Sequence, residues 1–487
     1  MKASHIAAIV MVSFLLFSPS RSSAASYKTP DEQRQMERTC DKKGILRDAS
    51  MHTDRSKMFM TIPPDYPEVV DFDVAETPPE IDFAIVQGLD PFYLPSFEHR
   101  TGGVYGGWGD VTKGPDGCFY FSIGNHMSFG GTAYIIRYDP SVKEQTIVVD
   151  LKKTVGYGDD VFGDGKFHGD PDIGPGGDMW LLSFFGPGPT EEDLATTYRG
   201  SWLIRYNIFS GESECLGIPL EGESWPYHAF DWQRGLLFGV GAIGGNVIAY
   251  DTREHRMIYG GAPGNGITWY ERGILLDRET GMIYTTDSKI VPGKSLYDRY
   301  EGDQHIARYV RRNNAFIRMN ATVPPNPVTG KSTALRSHTK TRDADGAFWC
   351  TDVRGTLFRF FPDEDRTERI GVNWGKEGKY MANMCLSPGK RYLYYLPGAD
   401  TQAYLYGTPV VQYDIRSGRK KVIAFLNDFY LETYGYSPGG TYGLELDAEG
   451  ETLFFYVNGQ FTTKERGSGY GRPAIFSVHI PASEREE

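Results

Sequence analysis

The sequence predicts an all-β fold, a seven-bladed β-propeller with a short irregular N-terminal arm. Three observations predict it: a composition rich in glycine and aromatic residues, a turn-and-strand unit that occurs seven times, and a second strand after each copy. Among the 487 residues are 58 glycines, 31 tyrosines and 28 phenylalanines. This composition suits many short strands joined by tight turns.

Residues 1–25 are predicted to be a signal peptide. The basic start "MKASH" precedes the apolar run "IAAIVMVSFLLF" and the small residues "SPSRSSAAS", which is the order of a secretory signal. The apolar run is short for a membrane span, so we expect a secreted or periplasmic protein without membrane insertion. Residues 26–80 are the predicted N-terminal arm, with a short helix around "QRQMERTCDKKG" before an irregular segment that contains several prolines.

The propeller is predicted to occupy residues 81–487. Its seven turn-and-strand units read "GPDGCFYFS", "GPGGDMWLLS", "DWQRGLLFGV", "DRETGMIYTT", "DADGAFWCTD", "LSPGKRYLYYL" and "DAEGETLFFYV". The strands that follow them read "AYIIRYDP", "SWLIRYNI", "NVIAYDT", "HIARYVRR", "TLFRFFPD", "PVVQYDI" and "AIFSVHIP". Units of several strands that repeat roughly every 40–60 residues indicate propeller blades. A strand within residues 80–89 is expected to complete the last blade and close the ring.

The first strand of each blade lines the central channel of a propeller, so counting back from each turn compares equivalent channel positions. The residues found in this way are, in blade order, Trp108, His168, His228, Arg272, His338, Asn383 and Tyr442. A register slip of one residue turns a strand side chain to the opposite face, so each residue alone also suits packing between blades. Three of the ten histidines at similar positions favour a functional cluster.

Four further positions lie close to this cluster in the sequence. Lys340 is two residues beyond His338, on the same face of a strand, where it suits an anionic ligand or solvent. His126 follows the second strand of blade one and is either a ligand contact or an ordinary loop histidine. Asp170 and Asp172 follow the histidine of blade two and suit either a metal site or a polar turn.

This set of residues favours β-elimination on a uronate-containing glycan, so the expected partner is an acidic polysaccharide or oligosaccharide. Arg272 would neutralise the uronate carboxylate. His168 or His228 would remove the adjacent proton, because imidazole titrates near neutral pH. Tyr442 would protonate the leaving oxygen. The predicted substrate contacts are Trp108, His126, His338, Lys340 and Asn383.

In architecture and in these His, Tyr and Arg residues, the chain resembles the secreted β-propeller polysaccharide lyases. The resemblance is one of pattern over the seven-blade region and includes no diagnostic family motif. It implies a carbon–oxygen lyase that acts on polysaccharides at the channel mouth.

Three other functions remain open. His168, His228 and His338 suit a divalent metal, which would serve a metal-dependent hydrolase; the lyase could work without a cofactor. A non-catalytic propeller that binds a glycan or a protein is also compatible with the fold. A lactonase-type hydrolase is disfavoured because the channel set is poor in carboxylates. The net charge of −12, with no long basic run, argues against nucleic acid as a partner.

Overall fold

The computed structural model is a ring of seven sheets with four antiparallel blade strands each, which confirms the predicted seven-bladed β-propeller. It describes residues 30–47, 50–64, 66, 71–86, 106–125, 131–185, 188–263, 273–291, 294–295, 297–399, 402–463 and 470–485. The predicted signal peptide, His126 and Arg272 lie outside these residues.

The N-terminal arm contains more regular structure than the sequence predicts. It contains α1 (Pro30–Cys40), β1 (His52–Arg55), a 3-10 helix (Lys57–Met60) and β2 (Asp73–Val74), and the closing strand β3 (Glu80–Ile85) follows it. The predicted helix is α1. The strands β1 and β2 of the arm both pair with blade strands, as described below.

In blades one to six the four blade strands follow chain order from the channel outward. Blade one contains β4 (Val111–Lys113), β5 (Phe119–Gly124), β6 (Ala133–Asp139) and β7 (Glu144–Asp150). Blade two follows α2 (Leu151–Val155) and contains β8 (Asp164–Phe167), β9 (Asp178–Phe185), β10 (Leu203–Asn207) and β11 (Ser213–Gly217), with α3 (Glu191–Thr196) between β9 and β10. Blade three contains β12 (Tyr227–Asp231), β13 (Leu236–Val240), β14 (Val247–Asp251) and β15 (Arg256–Gly261). Blade four contains β16 (Leu275–Asp277), β17 (Met282–Ile290), β18 (Tyr300–Val310) and β19 (Ala315–Thr322).

Blades five, six and seven complete the ring, and short extra elements accompany blades six and seven. Blade five contains β20 (Leu335–His338), β21 (Phe348–Asp352), β22 (Thr356–Phe361) and β23 (Arg366–Val372). Blade six contains β24 (Cys385–Leu386), β25 (Tyr392–Tyr395), β26 (Pro409–Asp414) and β27 (Lys420–Phe425), with a 3-10 helix at Ala403–Tyr406. After α4 (Asn427–Tyr434) come β28 (Tyr436–Pro438), β29 (Leu444–Leu446), β30 (Thr452–Val457), β31 (Gly459–Phe461), β32 (Ala474–His479) and a 3-10 helix at Ala482–Glu484. β28 and β31 form a separate two-stranded ribbon, and blade seven uses β29, β30 and β32.

The two ends of the chain close the ring together. β3 pairs antiparallel with β32, from Glu80 opposite His479 to Ile85 opposite Ala474, and so supplies the fourth strand of blade seven. This confirms the predicted closing strand. β1 adds a fifth strand outside β3, and β2 pairs in parallel with β27 as a fifth strand of blade six.

Neighbouring blades pack through aromatic rings on the faces of their sheets. Between blades seven and one, Phe454 stacks on Phe119 at a centroid distance of 4.5 Å and on Tyr138 at 5.1 Å. Tyr456 stacks on Phe121 at 5.5 Å. These buried ring pairs explain the many aromatic residues in the second and third strands of the repeat.

In the part of the chain that the structure describes, no helix has both the length and the apolar character that crossing a membrane requires.

Candidate functional site

The turns of blades one and two place two aspartates at the same level of the channel. The segments "WGDVTKGPDG" and "HGDPDIGPGG" align without a gap, so Asp110 and Asp170 occupy equivalent positions four residues before the turn. Gly109, which precedes Asp110, lies so close to blade two that a Cβ there would be 2.7 Å from the carbonyl oxygen of Phe167. The glycine therefore lets the two first strands approach and brings the two aspartates near each other.

Asn383 occupies the corresponding place in blade six. The backbone N–H of Met384 donates to Asn383 Oδ1 at 2.6 Å, just as the N–H of Val111 donates to Asp110 Oδ1 at 2.7 Å. The Asn383 amide nitrogen donates to Asp110 Oδ1. Asn383 therefore holds one of the aspartates in position, a contact that the sequence analysis did not foresee.

Lys340 connects the aspartates to blade seven. Its Nζ lies 2.8 Å from Glu445 Oε2 and 3.1 Å from Asp110 Oδ2, and it donates to the carbonyl oxygen of Val111 at 2.8 Å. Burial disfavours the charged form of Lys340, but the Asp110 and Glu445 carboxylates outweigh it and raise the lysine pKa well above its ordinary value. Lys340 is therefore charged and held by residues from two other blades.

The pKa values of the two aspartates are shifted in opposite directions. Burial and the Asp170 carboxylate raise the pKa of Asp110 well above its ordinary value. Burial also opposes ionisation of Asp170, but the Lys340 ammonium outweighs it and lowers the pKa of Asp170. Two neighbouring buried carboxyl groups do not readily ionise together, so Asp110 and Asp170 titrate as a pair.

A second ion pair lies closer to the turns. Arg278 of blade four binds the Asp172 carboxylate of blade two, and it also donates to the carbonyl oxygen of Phe230 at 3.1 Å. The channel between the blades is therefore lined by Asp110, Asp170, Asp172, Lys340, Arg278 and Glu445. These charged residues contrast with the sequence expectation of a channel poor in carboxylates.

The predicted catalytic histidines and tyrosine are buried. His168, His228 and Tyr442 are 2%, 0% and 3% exposed. His168 packs edge-on against the ring of Phe184 at 5.8 Å. Burial lowers the pKa of His228 to about 4. These side chains occupy the interior between blades, which is the packing alternative that a register slip allows.

His338 is held by the backbone of two blades. Its Nε2 lies 2.7 Å from the carbonyl oxygen of Ile274 in blade four, and its Nδ1 lies 3.2 Å from the carbonyl oxygen of Thr339. A carbonyl oxygen can only accept, so Nε2 carries a proton and is not a metal ligand. The described residues contain no group of three histidine, cysteine or acidic side chains arranged for a metal ion. The predicted site of His168, His228 and His338 is therefore not formed.

Of the other predicted substrate contacts, Trp108 is also engaged in packing. Its ring stacks on Tyr470 at 5.8 Å, and its Nε1 lies 3.3 Å from the Tyr470 hydroxyl. Lys340 and Asn383 do lie at the channel. Two of the predicted contacts, Lys340 and Asn383, therefore belong to the charged network, whereas Trp108 packs against Tyr470. Substrate contact by these three residues stays a prediction.

The structure also contains a pocket that the sequence did not predict. It lies where the turns between first and second strands of blades one, two, three and seven meet, and we call it the turn-side pocket. Its volume is about 570 Å³, and its walls include Lys113, Pro115, Ile173, Pro175, Trp232, Glu445 and Leu446. Trp232 is 36% exposed. The signal in the sequence that could have indicated this pocket is the tryptophan in the turn "DWQRG".

Glu445 belongs both to this pocket and to the charged network. It lines the cavity, its side chain is 23% exposed, and its Oε2 contacts Lys340. The turn-side pocket is therefore the place where a ligand could reach the channel charges.

The fold defines the class of protein as a seven-bladed β-propeller. No family model matches the chain, and no curated protein matches it. The chain is similar to the solved structure of the RRP9 WD40 repeats, with 9% identity over 82% of this chain and 97% of that chain, at a TM-score of 0.47. It is similar in the same way to the structure of U3-55K, with 9% identity over 82% of this chain and 98% of that chain, at a TM-score of 0.46. These similarities concern the fold alone.

Proposed function

We propose that this protein is a non-catalytic, glycan-binding propeller that holds a saccharide in the turn-side pocket. One observation carries the proposal: the exposed indole of Trp232 and the carboxylate of Glu445 line the same cavity of about 570 Å³. The predicted signal peptide supports a secreted or periplasmic location, where polysaccharides occur.

The chemistry of the pocket suits a sugar ring. The apolar C–H face of a pyranose packs on an indole ring, and a carboxylate accepts hydrogen bonds from its hydroxyl groups. The volume falls within the roughly 300–1,000 Å³ of small-ligand sites, which are mostly apolar with a few polar groups. Pro115 and Pro175 stiffen two of the walls, so the site loses little conformational entropy when a ligand binds.

The geometry favours binding over β-elimination. A catalytic base must come within hydrogen-bond reach of the substrate proton, whereas His168, His228 and Tyr442 are buried between blades. Arg272 lies outside the described residues. Uronate elimination therefore stays a prediction from the sequence, without support from the positions of its proposed base and acid.

The proposal is tested by titrating a panel of oligosaccharides into the full chain in a calorimeter. We expect Trp232→Ala to weaken binding about tenfold, or about 1.4 kcal/mol, because it removes the stacking surface. Ile258→Ala is the matched control, since Ile258 is 45% exposed on the outermost strand of the same blade.

Two results would contradict the proposal. One is the absence of saccharide binding, or equal binding by the Trp232 variant. The other is ultraviolet absorbance from a new C4–C5 double bond in mixtures with uronate oligosaccharides, which would show elimination.

A further inference from the structure

We infer that the turn-side pocket holds one unit of a longer saccharide chain, and that the exposed ring of Phe209 binds a further unit of that chain outside the pocket. The inference rests on the proposed function and names the ligand class of the same site, a chain of several sugar units. It follows from two exposed aromatic rings, those of Trp232 and Phe209, at the two ends of one turn.

The turn of residues 174–177 in blade two lies between the two rings. The N–H of Gly177 donates to the carbonyl oxygen of Gly174 at 2.9 Å, so the Cα atoms at the ends of this β-turn are less than about 7 Å apart. A Cβ on Gly174 would lie 3.2 Å from Cβ of Trp232. A Cβ on Gly177 would lie 2.5 Å from the ring of Phe209. Trp232 and Phe209 therefore flank the same turn.

The surface of this turn is open between the rings. Pro175 and Gly176 are exposed, and a Cβ on Gly176 would meet nothing within 4 Å. Pro175 also lines the turn-side pocket, together with Gly174. A saccharide chain that leaves the pocket beside Trp232 therefore meets no bulky side chain on this turn before it reaches Phe209.

Phe209 is held in place although it is 61% exposed. Its N–H donates to Asn207 Oδ1 at 3.0 Å, and the Asn207 amide nitrogen donates to the carbonyl oxygen of Gly176 at 3.0 Å. The N–H of Ile208 donates to the carbonyl oxygen of Gly177 at 2.9 Å. These bonds tie the segment that carries Phe209 to the turn that borders the pocket, so its backbone needs little reordering on binding.

Among blades one to six, only blade two has such a ring at this place in the repeat. The turns between third and fourth strands read "PSVK", "IFSGE", "TREH", "RRNN", "PDED" and "IRSGR". Phe209 is the only phenylalanine, tyrosine or tryptophan in them. The aromatic ring outside the pocket therefore lies in the same blade as the turn that forms part of the pocket wall.

The choice of occupant follows from continuity with the turn-side pocket. A saccharide presents apolar C–H faces along its whole length, so a unit outside the pocket can pack on Phe209 as a unit inside it packs on Trp232. One pyranose ring packs on one aromatic ring. A ligand that covers both rings therefore has at least two sugar units, and a longer chain spans the turn between them.

The test measures how affinity depends on chain length, by calorimetry on the full chain. The probes are the dimers and hexamers of β-1,4-linked glucose, of β-1,4-linked N-acetylglucosamine and of α-1,4-linked galacturonic acid. In the series that binds, we expect the hexamer to bind at least about fivefold more tightly than the dimer, because the hexamer also reaches Phe209.

Three variants locate the effect. Phe209→Ala is expected to weaken binding of the hexamer about fivefold and to leave binding of the dimer unchanged. Phe209→Tyr keeps the ring and should bind both lengths like the wild type. Val142→Ala is the matched control, since Val142 is 59% exposed in the corresponding turn of blade one, and it should also bind both lengths like the wild type. Substitutions at such exposed positions change stability little, which equal melting temperatures would verify.

The outcomes separate the inference from the proposed function. If dimer and hexamer bind equally, or if Phe209→Ala weakens neither or both to the same extent, the inference is overturned while glycan binding stands. If Phe209→Ala leaves hexamer binding unchanged but turns a dimer of the protein into monomers in sedimentation, the ring belongs to a contact between two copies of the chain, which also overturns the inference. If no probe binds, both the inference and the proposed function fail.

Discussion

Replacing Asp82 by asparagine is expected to weaken the closure of the ring by about 2 kcal/mol at neutral pH. Asp82 lies buried on the closing strand β3. Its carboxylate accepts hydrogen bonds from three parts of the molecule: Thr53 on β1 at 2.5 Å, Lys143 of blade one at 2.7 Å and His479 on β32 at 3.1 Å. One side chain thus joins the closing strand to both of its sheet neighbours and to the next blade.

The magnitude follows from the pKa of this carboxyl group. Burial opposes ionisation of Asp82, but the hydrogen bonds from His479, Lys143 and Thr53 outweigh it and lower the pKa from 3.8 to about 2. This difference is worth about 2 kcal/mol. Because the folded-state pKa is the lower one, the stabilisation is complete above about pH 5. It falls to about half near pH 3 and is lost below pH 2.

Urea unfolding followed by tryptophan fluorescence measures this effect. The free energy of unfolding of the Asp82→Asn variant should be about 2 kcal/mol lower than that of the wild type at pH 7, and the gap should narrow toward pH 3. The exposed Asp160→Asn serves as control. A gap below about 0.5 kcal/mol at pH 7, the range of ordinary surface substitutions, or one that does not change with pH, would refute the reasoning.

Two further substitutions test the packing and the charges inside blade two. Gly169→Ala would place a Cβ 2.3 Å from Nδ1 of the buried His228, so we expect a loss of about 1–3 kcal/mol in thermal unfolding, whereas Gly176→Ala, with nothing within 4 Å, should behave like the wild type. Equal melting temperatures for the two variants would disprove the clash. Burial raises the pKa of Asp164 to about 7 despite a hydrogen bond from Ser183, so ionisation costs stability as the pH rises from about 4 through 7. Asp164→Asn should therefore be more stable than the wild type at pH 8 and equal to it at pH 4; a benefit of the same size at both pH values would contradict this.

The blade structure was predictable because its signals are local. Turns such as "GPDG" and "DADG" fix where a first strand ends and a second begins, and alternating aromatic residues identify the strands that follow. The closing strand β3 was predictable for a related reason: an incomplete last blade needs a fourth strand, and residues 80–89 have the composition of one.

The added strands β1 and β2 were not predictable in the same way. They are short, at four and two residues, and the partner of each is distant in sequence or belongs to another blade. The segment "FDVAE" contains no sequence pattern that predicts its parallel pairing with Lys421 and Val422. Long-range pairing of so few residues leaves no periodic pattern to read.

At the candidate site, counting residues along the repeat predicts only part of the arrangement. The count finds the right level of the channel, since Trp108 and His168 lie two residues from Asp110 and Asp170. It does not find the right direction, because the space between blades and the channel both lie inside the ring and both accept aromatic and polar residues. The charge of a side chain helps to decide whether it faces the channel, a choice that strand periodicity leaves open. A carboxylate that lies inside the ring needs a partner, and Lys340, two residues beyond His338, supplies one.

Counting back from each turn along the first strands could not predict the turn-side pocket. Its residue Trp232 lies in a turn, where neither strand nor helix periodicity applies. Its tryptophan is nevertheless conspicuous. Five of the other six turns carry proline, alanine or serine after their first residue. An exposed aromatic face in the wall of a cavity offers a surface on which a sugar ring can pack. Together with Glu445, that exposed face makes the turn side of the ring the place to look for a ligand.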